Sequence, residues 1–251
     1  MRRSFNALLL LVSAIVAVIG ASASSRADGP VWKKLGANWT NVSGITALDA
    51  NLFVIDGTHL WKVTADGKFT DIGGNWTDVS AMTALDGKLY IFAGTHLWEA
   101  TTDGKFKDLG GNWSKVRGMT ALGGKLYVLS GEHLWETAKD GTYKDLGGQW
   151  TDVGGVTALD GKLYAVSGGH LWEVATDGTY KDLGTGWTAI GGMTSARGSL
   201  YVVSAGKLWK SGKDGKYVDQ GGNWASPRGI VALGNTLYAI DGAALYASPA
   251  P

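Results

Sequence analysis

Hydrophobic and polar positions along this chain fall into short alternating runs cut by glycine, with no helical stripe longer than a turn. From Gly118 the sequence reads GMTALGGKLYVLSGEHLWETAKDGTYKDLGGQW, ending at Trp150. Its turn residues divide it into four strands: Gly118 to Leu122, Lys125 to Ser130, His133 to Ala138 and Thr142 to Leu146. The breaks at Gly123-Gly124, Gly131-Glu132 and Asp140-Gly141 are hairpin-sized. Asp-Gly between alternating segments predicts a two-residue type I′ turn, in which both central residues take positive φ. That dipeptide recurs at Asp66, Asp103, Asp140, Asp177 and Asp214.

The pattern repeats. Trp39, Trp76, Trp113, Trp150, Trp187 and Trp224 are each 37 residues apart. A second series in the same step runs through Trp61, Trp98, Trp135, Trp172 and Trp209 to Tyr246, and a third through Phe53, Tyr90, Tyr127, Tyr164, Tyr201 and Tyr238. Strand composition orders each unit from inside to outside. The first strand carries small apolar residues and the fourth carries Lys144 and Asp145 beside Tyr143. The second strand, Leu89-Tyr90-Ile91-Phe92 in one unit, is apolar at consecutive positions and must be covered on both faces. A two-faced sheet in every repeat demands a stack or a ring.

The ends of the repeat favour the ring. The sixth unit stops after its third strand at Ala244 to Ala247, while Val31 to Gly36 aligns one period ahead of Lys68 to Gly73. The fourth strand of the last unit therefore comes first in the chain, which removes the exposed edges of an open stack. The expected fold is all-β, a six-bladed β-propeller with four antiparallel strands per blade, closed by its N-terminal strand and occupying residues 28–251.

Residues 1–27 read as a signal peptide. Arg2 and Arg3 precede an apolar stretch from Ala7 to Gly20, with small-residue cleavage sites ending at Ala23 or Ala27. The stretch is shorter than a membrane span requires, so the expected location is secreted or periplasmic, with no span after cleavage. The chain has 23 basic and 22 acidic side chains, and loss of Arg2, Arg3 and Arg26 takes the balance from +1 to −2. Lysine alternates with aspartate along the same segments, so no basic face for nucleic acid is expected. With no cysteine, disulfides and thiolate chemistry are excluded.

Repeated residues have two readings. A Trp between blades removes on the order of 150 to 250 Å² from water, worth roughly 4 to 6 kcal/mol, so packing alone explains the first series. The third-strand Trp series is expected to be core still more firmly. Asn38, Asn75, Asn112, Gln149 and Asn223 precede the interblade Trp39, Trp76, Trp113, Trp150 and Trp224. These pairs are candidate ligand-binding residues, an amide beside an aromatic face suiting a polyhydroxylated ligand; the amide can equally cap the crossing loop. His59, His96, His133 and His170 precede Leu-Trp in four consecutive blades and are expected to bond a loop carbonyl or a ligand hydroxyl. Adjacent blades set them too far apart to share a metal with ligand bonds near ~2 Å. No metal or cofactor is expected, and no catalytic residue stands out, because almost every titratable group is copied around the ring. The singular residues Arg117, Glu132, Arg197, Pro227 and Arg228 suggest drift or one altered pocket. A quinone-dependent or sialidase-type propeller enzyme is the alternative, although Asp140 to Gly147 has the wrong order for a sialidase Asp-box.

The run from Trp150 to Tyr180, with its Met/Val-Thr-Ala-Leu, Leu-Tyr, His-Leu-Trp and Asp-Gly-x-Tyr elements, resembles the tectonin-type repeats of β-propeller lectins, over residues 31–247. That resemblance implies a six-bladed propeller that binds carbohydrate; the expectation built on it is a multivalent carbohydrate-binding protein with shallow sites between blades and with glycans or cell-surface carbohydrate as partners, and the repetition of titratable groups around the ring adds that it is not an enzyme. The alternative is a protein-interaction scaffold without sugar binding. The regular Leu-Gly-Gly link and the Ala-Leu inner strand depart from the family pattern, so no ligand residue is carried over.

Overall fold

The computed structural model describes residues 29–251; the signal peptide expected at 1–27 lies outside them. Among these residues, twenty-four strands form six separate sheets of four antiparallel strands. Blade three shows the plan: inner strand Val116–Leu122, second strand Lys125–Ser130, third strand His133–Thr137 and a three-residue outer strand, Tyr143–Asp145. Inner strands of successive blades lie against one another all round, including Pro227–Leu233 of blade six against Val42–Leu48 of blade one. The ring is closed.

Closure follows the expected exchange. Lys33–Ala37 pairs antiparallel with Ala244–Pro249 and is the outer strand of blade six. Lys34 faces Tyr246 and Ala37 faces Ala244, with a bulge between Lys34 and Gly36. Trp32 stands edge-on to Trp224, centroids 4.7 Å apart at 87°. Lys33–Ala37 is thereby held by side chains as well as by its ladder.

The core is six cores. Each hydrophobic cluster joins two neighbouring blades: Phe92 and Leu97 of blade two meet Trp113, Met119 and Val128 of blade three. Leu52 and Val54 of blade one meet Tyr238 and Ile240 of blade six. Second strands are buried on both faces, Leu89 to Phe92 being at most 1% exposed, as a sheet sandwiched between sheets requires.

Two expectations about local structure change. The Asp-Gly turns between third and outer strands are not type I′. Only glycine is left-handed there, Gly67 at φ +91°. Its N–H donates to the Thr64 carbonyl and the Thr64 N–H to the Lys68 carbonyl, both at 2.8 Å, which makes a wider turn with a bulged glycine. The primed two-residue turn lies instead between inner and second strands, where Asp86 and Gly87 take φ of +49° and +75°. The third-strand Trp residues are also only half-buried, whereas the interblade Trp residues are 4–7% exposed. Blades diverge towards the rim, so the third strand's leucine, Leu97 for example, is fully covered while its tryptophan opens on a crevice.

Candidate functional site

Outer halves of the blades open on one face of the ring into crevices with a common wall. In blade three Trp113, from the link entering the blade, meets Trp135 of the third strand at 5.9 Å and 84°, and Tyr143 of the outer strand at 4.9 Å. Edge contacts of this kind hold aromatic groups rigid. Trp113 is buried, Trp135 half-buried and Tyr143 exposed. The Leu-Gly-Gly link makes room for the indole: a Cβ on Gly148, whose φ is +117°, would lie 2.2 Å from Nε1 of Trp150.

Asn38, Asn75, Asn112, Gln149 and Asn223 are exposed beside their buried tryptophans. Asn75, Asn112 and Gln149 line crevices of about 320, 260 and 290 Å³. Capping of the crossing loop falls to the last residue of the second strand. Asp56 accepts the N–H groups of Thr40 and Asn41, and Ser130 Oγ donates to the Ser114 carbonyl.

The four histidines bond neither loop carbonyl. Each presents Nδ1 to an outer-strand aspartate: His59 to Asp71, His96 to Asp108 and His133 to Asp145 at 2.7 Å, His170 to Asp182 at 2.8 Å. Each ring also lies over the third-strand Trp, His133 over Trp135 at 5.9 Å and 24°. The last two blades lack the pair. Blade five has Lys207 on Asp219 at 2.7 Å, and blade six has Ala244 and Lys34 in the two places.

Asp145 has opposed influences. Partial burial pushes its pKa up, but the Gly147 N–H and the bond from His133 together hold its carboxyl below the ordinary 3.8. An ionised carboxylate only accepts, so Nδ1 of His133 is the donor of the pair, and in the neutral ring that tautomer has its lone pair on Nε2. This is the orientation a histidine general base needs.

What differs between blades is the company of the pair. The second residue after the link Trp is Asn41, Asp78, Lys115, Asp152, Ala189 or Ser226, going round the ring; lysine stands only in blade three. The fourth is Ser43, Ser80, Arg117, Gly154, Gly191 or Arg228, and in five blades it sits at a bulge of the inner strand. The residue before the histidine position is charged only at Glu132. Lys115, Arg117, Glu132 and His133 therefore collect in one hollow of about 480 Å³, with Thr151 and Asp152 of the next link on its far side. A neighbouring hollow of about 600 Å³ continues from Arg117 and Asp152 past Gly154 to Thr188 and Ile190.

Of the singular residues, Arg117 and Glu132 thus come together. Arg228 lies in blade six, which has no histidine pair, and Arg197 donates to the Ala250 carbonyl. Lys115, Asp145 and Tyr143 were not singled out from the sequence. The constant twelve-residue step from histidine to aspartate is the signal that finds Asp145. Among the described residues no group of three or more His, Asp or Glu is placed to hold a metal ion.

No protein-family model matches the chain, and no curated protein matches it in sequence. Its fold has many solved counterparts. A gluconolactonase from Xanthomonas campestris superposes with TM-score 0.74 at 13% identity, covering 88% of this chain and 90% of its own. Virginiamycin B lyase from Staphylococcus aureus does so with TM-score 0.66 at 14%, covering 87% and 98%. Regucalcin, a calcium-binding protein from Agrobacterium tumefaciens, does so with TM-score 0.68 at 13%, covering 88% and 92%. These likenesses establish the six-bladed propeller. They overturn two expectations, a carbohydrate-binding lectin and a chain without enzymatic activity, because the counterparts of this fold include a gluconolactonase, a lyase, a luciferin-regenerating enzyme and a calcium-binding protein.

Proposed function

We propose that the protein is a hydrolase of carboxylic esters or lactones, with His133 as general base. One observation carries the reading: four blades hold an aspartate-bound histidine, and only in blade three does it share a hollow with a lysine, an arginine and a glutamate. Nε2 of His133 takes a proton from water as the hydroxyl adds to the acyl carbon. Lys115 and Arg117 stabilise the oxyanion that develops. As the C–O bond breaks, the proton passes from His133 to the leaving oxygen, so one water is consumed and an acid and an alcohol result. Asp145 orients the ring and stabilises its protonated form. Two of the fold's counterparts lend support by name, a lactonase and a lyase that is catalytically inactive when one histidine is replaced by alanine.

Proton release from a panel of esters and lactones measures this directly. His133→Ala and Asp145→Asn should each lower kcat/KM by about 10²- to 10⁴-fold, the usual worth of a positioned base, while His170→Ala leaves it within about twofold. Equal losses at His133 and His170, or no turnover of any panel member by the unaltered protein, refute the proposal.

A further inference from the structure

His133 stands on a divide. Gly131, Glu132 and His133 border both the aromatic crevice of Trp113, Trp135 and Tyr143 and the polar hollow of Lys115, Arg117 and Asp152. A molecule seated across the divide has a flat apolar part outward, a polar head inward, and its middle over the histidine.

The head can be read from charge. Lys115 and Arg117 bring two positive groups and Glu132 and Asp152 two negative ones, yet among the described residues none of the four forms an ion pair. Elsewhere on this ring, lysines and aspartates within reach of each other do pair, as Lys139 with Asp86 at 2.8 Å and Lys213 with Asp160 at 2.7 Å. A hollow holding unpaired charges of both signs is complementary to a head carrying both. Arg117 offers a fork that suits a carboxylate, and the two acids suit an ammonium.

We infer that the site takes a zwitterionic α-amino-acid head joined through an acyl ester to an aromatic ring, an O-aroyl hydroxyamino acid. The inference rests on the hydrolase reading for the ester alone; ring and head are argued from the two hollows. Hydrolysis adds the hydroxyl of water to the aroyl carbon and its hydrogen to the amino acid's side-chain oxygen, releasing an aromatic acid and a free hydroxyamino acid.

Binding of an uncleavable mimic separates the two proposals. O-benzyl-L-serine, its N-acetyl derivative, which is only an anion, and its methyl ester, which is only a cation, are titrated calorimetrically into the full protein. The zwitterion should bind about tenfold or more tightly than either derivative, the size of one charge-assisted contact. Arg117→Ala should abolish its advantage over the methyl ester. Tyr143→Ala should weaken all three alike, and Tyr217→Ala in blade five should weaken none. Equal affinity for the three compounds, or unaltered binding in both Arg117→Ala and Tyr143→Ala, overturns the substrate class. Zwitterion-selective binding without ester hydrolysis refutes the hydrolase and leaves the head-and-ring assignment standing; hydrolysis without that selectivity does the reverse.

Discussion

Trp32→Ala tests whether blade six depends on a strand that no covalent turn ties to its sheet. Trp32 is half-buried and edge-on to Trp224. Full burial of a Trp is worth roughly 3 to 5 kcal/mol on truncation, so half-burial gives about 2. The edge contact adds about 1 kcal/mol, for a total of about 3. At about 2 to 4 °C per kcal/mol for a domain of this size, Tm should fall by roughly 6 to 12 °C. Phe106 is the same position in blade two, 54% exposed and continuous with its own third strand. Phe106→Ala should cost about 1 kcal/mol and only a few degrees. Calorimetry gives the two shifts, and hydrogen exchange gives the locus: amides of Lys33–Ala37 should lose protection in Trp32→Ala while those of Phe106–Asp108 keep theirs in Phe106→Ala. Equal shifts with unchanged protection of Lys33–Ala37 would show that the seam carries no special load.

Other measurements bear on other parts of the ring. Gly148→Ala puts a Cβ 2.2 Å from Trp150 Nε1 at φ +117° and should cost about 3 kcal/mol; Gly147→Ala, at φ +75° with nothing near its added Cβ, should cost about 1, and the two thermal shifts decide it. Asp66 and Asp103 are held down to about 2, chiefly by the hydroxyls of Thr64 and Thr101 and then by Lys68 and Lys105. Their folded values lie below the ordinary 3.8, so their contribution is present above that pH and is lost as pH falls towards 2. Tm of the double variant Asp66→Asn, Asp103→Asn should accordingly vary less with pH across that interval. Tyr90 and Tyr164 are pushed up to about 12, first by burial and then by Glu99 and Glu173. Their contribution is full below pH 10 and fades between 10 and 12, and phenolate absorbance should show ionisation delayed to that range until the ring unfolds.

The ring was legible because packing repeats. Interblade tryptophans, second strands and the displaced outer strand each leave a periodic mark, and three aromatic series in one register leave few alternatives. What failed to show were properties of shape. That Trp98 is half-open while Trp76 is covered depends on how fast blades diverge, which no spacing records. The turn at Asp66-Gly67 follows the bulge its hydrogen bonds adopt, which the dipeptide does not specify. The site was harder. His133 was visible as a candidate, but its aspartate lies on a different strand, and Arg117 and Glu132 are separated by the whole second strand, so only folding puts them around one hollow. Periodicity itself hid the site, since the informative residues are those that break it.

The histidine–aspartate pairs lie at the rim, half-exposed, where such a pair adds little to stability. Their loss in blade six and replacement in blade five leave the interblade core untouched. A ring of this kind separates two kinds of inheritance: the inner half of each blade is held in common by all six, while the outer face of any one can change without asking anything of its neighbours. Blade three is then a local experiment on a shared frame, and any of the other five has room for another.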